Sequence, residues 1–191
     1  MMLMASLKQG AKRAIATLLV LCCSLTLVAC GNVVGSLQPY SSGTYGYEFL
    51  YPNGWIPVNV DSAKTGVDVV FRDLVEYSEN LSVIISDVPA DKSLEDLGTP
   101  TDVGYRFMQE ANQNSDRQPD LIRADSRTDD SGQTYYILEY QVTLPNGQTR
   151  HDLATVAVKF GKLYTLNLST LQDRWNDVES LFNTVIKSFK L

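Results

Sequence analysis

Residues 121–169 read LIRADSRTDDSGQTYYILEYQVTLPNGQTRHDLATVAVKFGKLYTLNLS, and they decide the fold. Leu121–Thr128 is an extended run that stops at Asp129-Asp130-Ser131-Gly132, a turn. Gln133–Leu144 is a long strand pattern, Asn146-Gly147 is a strong two-residue hairpin signal, and Gln148–Phe160 runs back. Gly161-Lys162 reads as a second tight turn, and Leu163–Ser169 closes the meander. Four consecutive antiparallel strands are predicted. Tyr135, Tyr136, Ile137 and Leu138 are adjacent in one strand, and Val156, Ala157 and Val158 in the next. Side chains alternate along a strand, so both faces are apolar and both need cover.

Helices on either side supply that cover. Thr99-Pro100-Thr101-Asp102 is a helix start, with a hydroxyl cap, proline at the first helical position and a carboxylate at the third. Val103, Phe107, Met108 and Ala111 follow on one face. The last helix is predicted from near Thr170, with Asp173 three residues on as the weaker half of a capping box. Its stripe of Trp175, Val178, Leu181, Phe182, Val185, Ile186 and Phe189 has helical spacing. Upstream, Tyr47–Tyr51, Trp55–Val58, Val67–Arg72 and Leu81–Val88 read as further strands. The expected fold is an α/β/α sandwich around a mainly antiparallel β-sheet, a single domain over residues 47–191.

The chain has 191 residues and a formal charge of −6. The first 29 residues hold three bases (Lys8, Lys12 and Arg13) and no acid, so the rest carries −9. That surface repels phosphate backbones, and no nucleic-acid partner is expected. Ala14–Ala29 is an apolar stretch shorter than the roughly 20 residues a spanning helix needs. Basic start, short apolar run and small residues are the order of an export signal. It ends Leu27-Val28-Ala29-Cys30-Gly31, which resembles the lipobox of bacterial lipoproteins. The expectation is a signal peptide over residues 1–29, cleavage before Cys30 and lipid on that residue; an uncleaved anchor or an ordinary signal is the alternative. Residues 30–46, rich in Gly, Ser and Thr, read as a lipidated flexible linker.

Cys22, Cys23 and Cys30 are the only cysteines, so the body has no thiol for catalysis, zinc or disulfides. His151 is the sole histidine, and Asp152 beside it points to the opposite face of a strand and cannot orient it. No catalytic residue, no small-molecule substrate and no required cofactor is expected. A two-residue loop at Asn146-Gly147 places His151 opposite Val142 and Asp152 opposite Gln141. Glu139 then lies on the Asp152 side. His151, Asp152 and Glu139 are the candidate ligands for a weakly held zinc, manganese or calcium ion, against a surface histidine bonded locally. Asp125–Gly132 superficially resembles a calcium loop, but Arg127 stands where a carboxylate is needed, and a plain turn is expected. Acidic Asp73–Glu79 and the group Asp87, Asp91, Glu95 and Asp96 are candidate docking surface or solvated loops. Trp55 and Trp175 read as core, and Arg72 as an ion-pair partner of a nearby acid. Lys159, Lys162, Lys187 and Lys190 are basic residues that one end of the fold could gather.

Six motifs carry a resemblance. They are Tyr47-x-Phe49-x-Tyr51-Pro52-x-x-Trp55, Gly66–Asp73 (GVDVVFRD), Glu79–Ile84 (ENLSVI), Leu97-Gly98-Thr99-Pro100, Tyr135-Tyr136-x-x-Glu139-Tyr140 and the Trp175 helix. In this order and spacing the set resembles the PsbP family of photosystem II extrinsic proteins. With the cysteine motif in front, it is similar to the family's cyanobacterial lipoprotein members. The resemblance implies an α/β/α sandwich held on the lumenal face of the thylakoid membrane, with photosystem II lumenal subunits as partners. It also implies metal binding in some members, and calcium and chloride retention at the oxygen-evolving complex in plants. The plant members carry an N-terminal docking extension where this chain has the lipidated segment, so the resemblance points to a loosely held assembly or stability factor.

Overall fold

The computed structural model describes residues 37–60, 66–113 and 117–191. Residues 1–29, read as a signal peptide, together with Cys30 and the first part of the segment read as a linker, lie outside the described residues. Nine strands and two helices follow one another: β1 (Leu37–Ser42), β2 (Tyr47–Pro52), β3 (Trp55–Val58), β4 (Val67–Asp73), β5 (Asn80–Asp87), α1 (Pro100–Gln113), β6 (Gln118–Thr128), β7 (Thr134–Thr143), β8 (Thr149–Lys159), β9 (Lys162–Leu171) and α2 (Trp175–Ser188). Strands β3 to β9 form one antiparallel sheet in the order β3-β4-β5-β9-β8-β7-β6. The chain leaves β5, crosses one face as α1, enters at the far edge as β6, and meanders back until β9 pairs with β5.

The two apolar faces are covered as the pattern demands. Helix α2 and the β1–β2 ribbon lie over one face, where Leu153, Leu166, Leu168, Phe182, Val185 and Ile186 are fully buried. Helix α1 lies over the other, on Leu138, Ala154 and Val156. Its start is held by the reciprocal capping the sequence announces. The Asp102 N–H donates to Thr99 Oγ1 at 3.2 Å, and the Thr99 N–H donates to Asp102 Oδ2 at 3.0 Å.

Three expectations are corrected. Leu37–Ser42, read as linker, is a strand: Tyr40 packs its ring against Phe49 at 5.1 Å and Phe71 at 5.4 Å. Its stability comes from partners across the ribbon, which Gly- and Ser-rich local composition hides. Thr170 is not a helix cap. β9 runs on through Leu171, a 3₁₀ turn follows at Gln172–Arg174, and α2 begins at Trp175 without a side-chain cap.

The third correction is the register. The β7–β8 loop has three residues, Pro145-Asn146-Gly147, closed by the Leu144 N–H on the Gln148 carbonyl, with Gly147 at φ 80°. A three-residue loop ending in a left-handed glycine is the next choice after the two-residue turn. It shifts pairing by one, so His151 faces Gln141 and Asp152 faces Tyr140. The β8–β9 turn is also displaced. Phe160 and Gly161 occupy it, at φ 51° and 70°, between paired Lys159 and Lys162. Moving the turn by one residue shifts the pairing by two, which leaves the faces unchanged. Among the described residues Phe160 is the only non-glycine with positive φ. The conformation costs on the order of 1 kcal/mol for a bulky residue.

Candidate functional site

The register shift decides the site. Glu139, Gln141 and His151 come to the α2 face, and Asp152 goes to the α1 face. The proposed trio is therefore split: the structure unites His151 with Glu139 and places Asp152 on the other side of the sheet.

His151 is buried rather than at the surface (3% exposed). Its ring lies flat on the Trp175 indole, 3.7 Å between centroids at 7°. Nε2 meets Glu139 Oε1 at 3.0 Å, and Nδ1 meets Gln172 Oε1 at 2.9 Å. The same Gln172 oxygen accepts from Gln141 Nε2 at 2.7 Å. Arg123, on the edge strand β6, donates to Glu139 Oε2 from Nε at 3.1 Å and Nη2 at 2.9 Å, and to Asp125 from Nη1 at 2.8 Å. Both ring nitrogens are thus engaged inside the fold. Neither is offered to solvent as a base.

The donor set does not suit a divalent cation. Glu139 already carries a guanidinium on one oxygen, and a metal on the other would bring two cations to one buried carboxylate. Among the described residues no three His, Cys, Asp or Glu side chains gather as a metal site requires.

On the opposite face Asp152 closes a polar chain. Tyr140 OH donates to Asn167 Oδ1 at 2.9 Å, and Asn167 Nδ2 donates to Asp152 Oδ1 at 3.1 Å. Ser169 also hydrogen-bonds Asp152 and accepts from Arg150 Nε at 2.8 Å. Arg150 Nη2 reaches the Ser78 carbonyl at 2.6 Å. Tyr140, Arg150, Asp152, Asn167 and Ser169 line a cleft of about 500 Å³, with Phe107 and exposed Arg117 at its margin. Burial pushes the Asp152 carboxyl above its ordinary range. The folded state therefore holds that proton more tightly than the unfolded chain. The stability this lends is complete in acid and lost as pH rises through the folded value. Asp152→Asn removes the buried charge at neutral pH. It is expected to raise Tm by about 2–4 °C at pH 7, the shift that roughly 1 kcal/mol produces in a domain of this size. The gain should shrink toward pH 4 in calorimetric scans.

The remaining candidates take structural roles. Asp73 accepts from Trp55 Nε1 at 2.9 Å and from the Val75 and Glu76 amides, which shapes the acidic loop. Glu79 pairs with Arg174 at 2.9 Å, and Asp87 with Lys162 at 2.9 Å. Asp129 takes Ser131 and Gln133 amides in the turn once compared with a calcium loop. Trp55 and Trp175 are core, 5% and 8% exposed. Arg72 lies over the Tyr77 ring at 5.2 Å, and among the described residues no acid pairs with it. Gln172 and Arg123 were absent from the sequence reading, because a 3₁₀ turn and an edge strand bring them to His151 only in the folded chain.

The strand order, the buried aromatic core and the two covering layers match a known pattern. The PsbP family matches residues 35–191, and the chain belongs to that family. It is similar to CyanoP of Synechocystis sp. PCC 6803, with 59% identity over 175 residues, spanning 90% of this chain and 93% of that one. It is also similar to CyanoP of Thermosynechococcus vestitus, with 46% identity over 164 residues, spanning 83% and 87%. The solution structure of the Synechocystis CyanoP superposes with a TM-score of 0.70 at 58% identity, covering 85% of this chain and 97% of that one.

Proposed function

We propose that the chain is a non-catalytic accessory or assembly factor of photosystem II, held at the lumenal face of the thylakoid membrane by lipid on Cys30. The observation that carries this reading is family membership over nearly the whole body, with CyanoP relatives spanned almost end to end. The site chemistry supports it. The one histidine is sealed between Trp175, Glu139 and Gln172, and the chain has no cysteine after Cys30. Function then resides in surfaces that touch a larger complex. A lipid tether confines the body to the membrane, so a weak interface suffices.

Affinity capture of the tagged full-length chain from solubilised thylakoids tests the reading. Photosystem II subunits should be enriched over a tagless control; equal recovery contradicts it.

The second reading is a divalent cation on the His151–Glu139 pair, which the Arg123 contact disfavours. Calorimetric titration with zinc, manganese or calcium should give only millimolar binding that His151→Ala leaves unchanged. Micromolar binding lost in that variant would favour the cation instead.

A further inference from the structure

Phe160 projects from the β8–β9 turn and is 88% exposed. Its backbone is left-handed at φ 51°, a region that the first position of such a turn reserves for Asn, Asp or Gly. Within the chain, its ring is approached by Lys159 Nζ at 5.5 Å. The turn is braced from below. The Val88 N–H donates to the Gly161 carbonyl at 3.0 Å, and Lys162 pairs with Asp87. A strained aromatic held rigidly in water, with lysines on both sides, is costly to the isolated fold. Such outliers cluster at functional positions such as active sites, ligand clamps and switch regions.

The two ends of the sheet are not equivalent. Leu37 pairs with Pro52, Gln38 bonds Asn53, and the Leu74 amide reaches the Gly54 carbonyl, so the described chain starts beside Asp73 and Asn80. Phe160 lies at the opposite end, where Lys162 pairs with Asp87. The β5–β9 ladder from Asp87↔Lys162 to Asn80↔Ser169 separates these ends by roughly 23 Å. Six residues separate Cys30 from Leu37, and the seven steps between them span at most about 25 Å. A lipid at Cys30 therefore holds the Leu37 end toward the bilayer. The Phe160 tip reaches that bilayer only with the tether stretched flat along the body.

We propose that Phe160 is an anchor that seats in an apolar pocket of a protein partner, with a partner carboxylate at the rim for Lys159. This rests on the photosystem II reading above and names the surface that would make the contact.

Phe160→Asn separates docking from folding, because Asn suits the left-handed turn better than Phe. In the full-length chain, the variant is expected to keep or raise Tm. Recovery of photosystem II subunits by affinity capture should fall at least tenfold below wild type. Lys159→Glu should weaken capture in the same direction at unchanged Tm. Undiminished capture by Phe160→Asn overturns the proposal, as does a fall in Tm large enough to explain the loss. Reduced membrane retention with normal capture would show that lipid, not protein, receives the ring, and also overturns it. If wild type itself captures nothing above control, the photosystem II reading fails first and takes this inference with it.

Discussion

Trp175→Ala is expected to cost about 3–5 kcal/mol, the range for removing a large buried aromatic. Tm should fall on the order of 10 °C in a domain of this size. The indole fills the join between α2 and the sheet: Phe182 meets it edge-on at 6.1 Å, and Trp55 meets Phe182 in turn at 6.2 Å. It also roofs His151, so its loss opens the His151–Glu139 contact to water while leaving a cavity beside it. Both effects point the same way. Trp175→Phe keeps a stacked ring and should recover more than half of the loss. Thermal unfolding followed by far-ultraviolet circular dichroism checks both variants, and a Trp175→Ala shift under 3 °C would contradict this packing.

Cys30→Ala should have the largest effect on location. Several acyl chains bind a bilayer far more firmly than one, whose binding is marginal and reversible. Intact-mass analysis of the wild-type protein from membranes should show a chain starting at Cys30 with added acyl mass. The variant should lose that mass entirely. A wild-type chain with its leader intact, or without acyl mass, would remove the tether from the proposed function.

What the sequence disclosed, and what it hid, follows from the range of the interactions involved. The α1 start was legible because Thr99 and Asp102 satisfy each other within one turn. The meander was legible because β7 and β8 carry apolar residues on both faces and loops between them. Register was not. A loop of two residues or three is decided by backbone conformation at Gly147, and one residue of slip moved Glu139 from the side of Asp152 to that of His151. Strand β1 was missed because its evidence lies in Phe49 and Phe71, not in its own composition. The same holds for Gln172 and Arg123, which meet His151 from distant segments. The strained turn was also hidden, since Gly161 invited a turn one residue later than the one that forms.

Two of the lysines named from sequence meet at one end, where Lys159 pairs with Lys162 across the β8–β9 turn. Lys159 and Lys162 flank Phe160. Lys190 forms a backbone β-bridge to Glu48, next to Tyr47, whose ring lies 6.2 Å from Tyr164 near the start of β9. Lys187 stands in the last turn of α2. Amine-reactive cross-linking in intact membranes, read by mass spectrometry, therefore tests docking most directly. Photosystem II subunits should be joined to this lysine-bearing end, Lys159 and Lys162 foremost. Cross-links no denser to photosystem II than those of an unrelated lumenal lipoprotein would contradict it.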